Sequence, residues 1–189
     1  TEDAINRLRS MGMTVLSLNP QTVEDVLQDI ELVGAVTGQE EQASACVKEL
    51  RARIQAVTEK IEGLSEKPSI AHIVWYDPIW VSGNETFQNE VITMVGGTNA
   101  FGSVEGWGIV GLEEFITTNP DYVFVSSGDG MSAGGYDIVY DYIMSESRMQ
   151  RLDAVRNGYV YVVDADAISR GSPRIVDALE EMAVALHPN

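Results

Sequence analysis

The stretch GQEEQASACVKELRARIQAVTEKIEGL (residues 38–64) decides the fold. Its apolar residues Ala43, Val47, Leu50, Ile54, Val57, Ile61 and Leu64 alternate four and three apart, which places them on one stripe of a helix with charged and amide side chains elsewhere. At a rise of about 1.5 Å per residue such a helix reaches roughly 35–40 Å, the width of a small domain. Gly38 punctuates its start, and Pro68 stops the chain from continuing as helix. The stretch predicts a strut joining two bodies. A two-chain coiled coil is the alternative, which would need the stripe to run over more heptads with matched flanking charges.

Outward from the strut, both sides carry alternating elements. Before it, residues 2–11 form a short amphipathic helix, TVLSL (14–18) has the composition of a strand, and Thr22 is placed to cap a helix whose core face is Val23, Val26, Leu27, Ile30 and Val33. A lone strand needs partners, so 14–18 is expected to pair elsewhere in the protein. After Pro68 the pattern becomes α/β. SIAHIVW (69–75), DYVFVSS (121–127) and GYVYVVD (158–164) read as strands, separated by helices over 86–97, 111–120 and the GYDIVYDYIMSE and SRMQRL segments. SPRIVDALEEMAVALHP (172–188) closes the chain as an amphipathic helix with Pro173 in its first turn. Strands separated by helices predict a mainly parallel sheet flanked by helices, an α/β body over 67–189.

Composition narrows the function. The 189 residues are 44% hydrophobic, enough for a sizeable core, and no apolar run approaches the ~20 residues that span a bilayer. The chain is therefore not expected to be membrane-embedded. A formal charge of −17 with scattered basic residues excludes a nucleic-acid partner, because phosphate neutralisation needs clustered Lys and Arg. One cysteine, Cys46, excludes an internal disulfide framework. The chain begins at Thr1 inside a helical pattern, which predicts an upstream segment.

In a parallel sheet ligands gather outside the carboxyl ends of the strands. The segments there are WYDPIWVSGNE (75–85), SSGDGMSAGGY (126–136) and DADAISRGS (164–172), with SVEGWGIVG (103–111) beside them. All three tryptophans lie in these stretches, and Trp75, Tyr76 and Trp80 are expected to form an aromatic wall. SGDGMSAGG lacks the GxxxxGK[ST] spacing and carries Asp129, so it reads as a flexible cleft loop rather than a phosphate cradle. Asn84 and Glu85 are explained by a helix starting near Thr86. His72 lies mid-strand and His187 is next to the terminus, so no general base is apparent, and no GxSxG or HExxH is present. No cofactor or metal site is expected. Asp77, Glu85 and Asp129 are the candidate hard-oxygen ligands.

Four segments in order, LNPQTVEDVLQDIELVGAVTG (18–38), WYDPIWVSGNETFQNEVITMVGGTNAFG (75–102), LEEFITTNPDYVFVSS (112–127) and ISRGSPRIVDALEEMAVALHP (168–188), resemble the helical-backbone (class III) periplasmic substrate-binding proteins of ABC importers. This is the family that carries ferric siderophores, haem and cobalamin. The resemblance implies two α/β lobes joined by one long helix with ligand between them, divided here as a remnant N-terminal lobe (1–37), a connecting helix (38–66) and a C-terminal lobe (67–189). Most of the N-terminal lobe would be missing, which implies self-association through residues 1–37. By resemblance the ligand meets Tyr76, Trp80, Trp107, Tyr136 and Arg170, with a bulky metal chelate favoured over a bare ion by the aromatic content. The resemblance also implies an ABC permease partner, an extracytoplasmic location with membrane tethering of the full-length protein, and no enzymatic activity. The family's importer-docking glutamate falls where this chain has Ile168, Ser169 and Arg170, leaving Asp164 or Asp166 as substitutes. The competing readings are a non-transport sensor or interaction module on the same fold, and a chelatase-like enzyme, which the lack of a usable His or nucleophile disfavours.

Overall fold

The computed structural model describes residues 2–63, 66–127, 132–133 and 136–188, with backbone only at Ser132, Ala133 and Tyr136. In chain order α1 (Glu2–Ser10), α2 (Val23–Thr37) and α3 (Glu40–Ile61) precede β1 (Ser69–Tyr76), β2 (Ile79–Ser82), α4 (Phe87–Met94), β3 (Thr98–Asn99), β4 (Trp107–Val110) and α5 (Leu112–Thr118). There follow β5 (Tyr122–Ser127), a hairpin of β6 (Ser132–Ala133) and β7 (Tyr136–Asp137), α6 (Ile138–Ser145), a 3-10 turn (Met149–Arg151), α7 (Asp153–Asn157), β8 (Val160–Asp164), α8 (Ala165–Ser169) and α9 (Ile175–Leu186).

The long helix forms where its stripe predicts, and its apolar face is used within the chain. Ala43, Val47, Leu50 and Val57 are buried, with Ile54 partly so, against α2 on one side and α9 on the other. α2 is fixed at its start by a capping box, in which the Thr22 hydroxyl accepts the Asp25 N–H and the Asp25 carboxylate accepts the Thr22 N–H, both at 3.0 Å. Gly34 allows α2 and α3 to approach, since a Cβ there would lie 2.4 Å from that of Ala43. Arg53 ties α3 to α9 by donating to Glu180 at 2.9 and 2.6 Å and to Asp177 at 2.7 Å. Hydrogen bonding to Glu180, then Asp177, raises the guanidinium pKa still further above its ordinary value.

The sheet runs β4-β2-β1-β5-β8, with β3 beside the start of β1. β1, β3, β5 and β8 are parallel, whereas β2 and β4 are antiparallel to their neighbours. β2 returns after a two-residue turn, too short for a crossover, so it can pair only antiparallel. Alternate strand residues feed two cores. Ile70, Phe124 and Val163 face α3, α4, α8 and α9, while Ala71, Ile73, Val123 and Val125 face α5, α6 and α7.

Two expectations need correction. Residues 14–18 are not a strand, and Leu16 and Leu18 are exposed, because no strand among the described residues lies beside them to complete a ladder. Segments 75–85 and 103–111 are not simple loops. Each contributes a sheet strand, β2 and β4, whose pairing burial of Ile79, Val81 and Val110 secures.

Candidate functional site

The carboxyl ends of β1, β5 and β8 lie at one end of the sheet, and β2 and β4 extend that end sideways. Successive residues of a regular strand point to opposite faces, but a register shift between Ile73 and Trp75 re-aims the end of β1. Trp75 and Tyr76 consequently both pack against the core under α5 to α7, with ring centroids 5.1 Å apart. Tyr142 of α6 completes this group at 5.0 Å from Tyr76, and its hydroxyl pKa is pushed up, first by burial. Nothing in the local pattern distinguished Tyr142 from its helical neighbours. Only the docking of α6 brings it to Tyr76.

Trp80 and Trp107 belong to the opposite face. Trp80 is paired with Ile109 and Trp107 with Ser82, and partners in this regular ladder share a face, whereas beside the bulge Trp75, also paired with Trp80, turns its ring to Tyr76. Ile109 is 56% exposed and Trp107 38%, with Trp80 half-buried between them and β1. They make an apolar ridge along the antiparallel edge. Behind the ridge, on the same face, His72 is fully buried and bridges Ser82 (Nδ1 to Oγ, 2.7 Å) and Ser126 (Nε2 to Oγ, 3.0 Å), a polar chain across β2, β1 and β5. Burial pushes its pKa down to about 3, so the imidazole is neutral and structural.

Arg170 follows α8 at the far side of the sheet. β2 and β8 are three strand spacings apart, about 14 Å, so the ridge and Arg170 would frame a broad ligand rather than grip a small one. The Arg170 guanidinium donates to Asp166 at 2.8 Å and is exposed. Asp164 caps α8 by accepting the Ala167 N–H at 2.8 Å and accepts from Arg174 at 3.0 Å, and its pKa is lowered, first by that backbone hydrogen bond. Both acidic residues named as substitutes for a docking carboxylate are thus engaged by arginines. The Tyr136 backbone pairs with Ala133 in the hairpin, but its side chain lies outside the described residues, as do Asp129 and most of the glycine-rich segment. Among the described residues no group of three His, Cys, Asp or Glu side chains is gathered to hold a metal. No described helix is long and apolar enough to cross a membrane.

The fold has well-defined relatives. Over 98% of this chain and 69% of the other, it superposes with TM-score 0.80 and 22% identity on the crystal structure of the periplasmic vitamin B12-binding protein BtuF of Vibrio cholerae. Among curated sequences, the uncharacterised ABC-transporter substrate-binding lipoprotein YvrC of Bacillus subtilis is 30% identical over 99% of this chain and 58% of its own length. The vitamin B12-binding protein of Photorhabdus laumondii is 24% identical over 98% of this chain and 62% of its own. The chain therefore spans about 58–62% of the length of these two relatives. A strut packed between helices, a parallel sheet with an antiparallel flap and a profile match over residues 1–167 have one common explanation: the chain belongs to the periplasmic binding protein family.

Proposed function

We propose that this chain supplies one wall of the ligand cleft of an extracytoplasmic solute-binding component of an ABC importer. In this reading residues 67–189 form the ligand-facing lobe, 38–66 the connecting helix and 1–37 part of a second lobe. The observation that carries it is the ridge of half-buried Trp80 with exposed Trp107 and Ile109, on the antiparallel strands that extend the ligand end of the sheet. Accessible aromatic rings at that position suit a flat, bulky and partly apolar ligand, which favours a metal chelate such as cobalamin, haem or a ferric siderophore. Curated relatives that are binding proteins for vitamin B12 support cobalamin first. The protein would bind and release rather than catalyse. Tyr76, Tyr136 and Arg170 would complete the contacts, with Arg170 exchanging Asp166 for an anionic ligand group. A permease would be the macromolecular partner, and the full-length protein would be tethered to the membrane.

The test is tryptophan-fluorescence titration of the full-length protein with cyanocobalamin, haemin and a ferric hydroxamate siderophore. Quenching by at least one, with affinity weakened about fivefold by Trp80→Ala or Trp107→Ala, is expected, since stacking on one large ring is worth ~1 kcal/mol. No quenching by any of the three would sink the chelate reading. The arginine partners of Asp164 and Asp166 favour a second reading, a sensor without an importer, because neither carboxylate is unpaired for docking. Stimulation of the permease's ATP hydrolysis by the loaded protein would reject it.

Residues 1–37 would also associate with a second copy. Met11, Met13, Leu16, Leu32 and Val36 are each more than two-fifths exposed, an apolar surface that favours burial. Light scattering of residues 1–189 at high concentration should reveal a dimer, and a clean monomer would reject the association.

A further inference from the structure

The β8 edge of the sheet carries a groove that the ligand cleft does not account for. Sheet edges are ordinarily blunted by lysine, proline, a bulge or covering structure. β8, Val160–Asp164, contains no Lys or Pro, pairs with β5 in unbroken register over five residues, and pairs with no other strand among the described residues, although Val160 at its start is buried. The other edge, β4, is four residues long and includes Gly108, a poorer template. The Val123 N–H donates to the Tyr159 carbonyl at 3.0 Å, and in a parallel ladder this directs the polar groups of Tyr161 and Val163 toward β5 and those of Val160 and Val162 outward.

Beside this edge a groove of about 750 Å³ runs between β8 and α9, floored by Phe124, Tyr161, Val163 and Met182. Its rim is acidic: Asp164, Asp177, Glu180 and Glu181. Arg53 and Arg174 answer part of that charge, but four carboxylates against two guanidiniums leave the rim negative, and Glu181 has no ion pair among the described residues. On the opposite face of β8, Val162 is 45% exposed.

We infer that the β8 edge docks an extended cationic segment of a partner protein, which adds to the sheet as a strand. Its outward backbone bonds would come from Val162, the exposed residue of the strand. Its Lys or Arg residues would lie on the α9 side, with stems along Tyr161 and Val163 and charges at Glu181 and Asp177, while the alternate apolar residues would cover Val162. A second copy of this chain is the weaker fit. Antiparallel pairing of two β8 edges would set two negative rims about 5 Å apart across the new ladder.

The probe is an acetylated, amidated, fluorescently labelled lysine–valine alternating octapeptide, followed by anisotropy with residues 1–189 and with the full-length protein. Saturable binding is expected, weakening about tenfold between ~50 and ~500 mM salt. Val162→Pro removes only an outward N–H and leaves the β5 ladder intact, so it should keep the native circular dichroism and lose at least about tenfold in affinity. Glu181→Lys should weaken binding about as much, and the amide of Val162 should gain protection from hydrogen exchange when peptide binds. Equal binding by a peptide of the same charge interrupted by proline would overturn the inference in favour of general attraction to an acidic protein. So would native affinity in Val162→Pro, or dimerisation of the chain that this substitution abolishes. If Val162→Pro fails to fold, Glu181→Lys and the exchange measurement decide.

Discussion

His72 offers a quantitative test of the sheet's interior. The residue is fully buried on β1, with Ser82 and Ser126 as its hydrogen-bond partners and no carboxylate bonded to it among the described residues. A neutral imidazole donates at one nitrogen and accepts at the other, and two hydroxyls can satisfy either tautomer. An imidazolium would be a buried, unpaired charge, so the folded pKa falls to about 3 against 6.5 for the free side chain. The folded pKa is depressed, hence the unfolded chain takes up a proton below pH 6.5 and the folded chain does not until about pH 3. The resulting stability is complete above pH 6.5 and declines as the pH falls toward 3. Between pH 7 and 5 the loss from this group is about 2 kcal/mol, and toward pH 3 it approaches ~5 kcal/mol. Urea unfolding at pH 7, 6 and 5 should therefore show the native sequence losing about 2 kcal/mol more than His72→Gln over that interval. The comparison is a difference of slopes, because Glu90 and Glu181, raised chiefly by burial, act with the opposite sign and are common to both proteins. Parallel pH profiles for the two proteins would refute the reasoning, since they would mean that His72 binds its proton equally well folded and unfolded.

Three further substitutions probe how the scaffold is held. Thr22→Ala removes half of the capping box at the start of α2 and should cost about 1 kcal/mol in urea unfolding, with Thr22→Ser recovering most of it. Gly83→Ala would place a Cβ 1.9 Å from the Val104 carbonyl oxygen, so the bonds from Gly83 N–H to Gly106 and Asn84 N–H to Val104 must give way; a loss of ~2 kcal/mol or more and increased amide exchange across β4 are expected. Arg53→Gln leaves Asp177 and Glu180 without their cation. Because all three side chains are partly exposed, the expected loss is only about 1 kcal/mol, read as a small drop in the thermal midpoint that shrinks at high salt.

Much of this architecture is visible in one dimension. The four-and-three spacing of the strut, the Thr22 cap and the β-branched runs of β1, β5 and β8 are local signals, each produced by a regular side-chain period or a specific backbone bond. β2 and β4 escape a local reading because they are only four residues long, and each carries a tryptophan that equally suits a binding loop. TVLSL departs from its strand-like composition for the converse reason: β propensity expresses packing against neighbours, and no strand pairs with residues 14–18 among the described residues. At the candidate site, sequence proximity grouped Tyr76 with Trp80. The bulge in β1 and the register of β2 put them on opposite faces, so Tyr76 joins Tyr142 and Trp80 joins Ile109 and Trp107.

The sequence by itself determined the strut, the parallel strands and the aromatic enrichment at the ligand end, since periodicity and composition act within a few residues. Which aromatic rings share a face, which carboxylates are held by arginines and which sheet edge is unpaired among the described residues emerge only in three dimensions. Those properties depend on strand register and helix docking between residues far apart in the chain, and no local pattern encodes them.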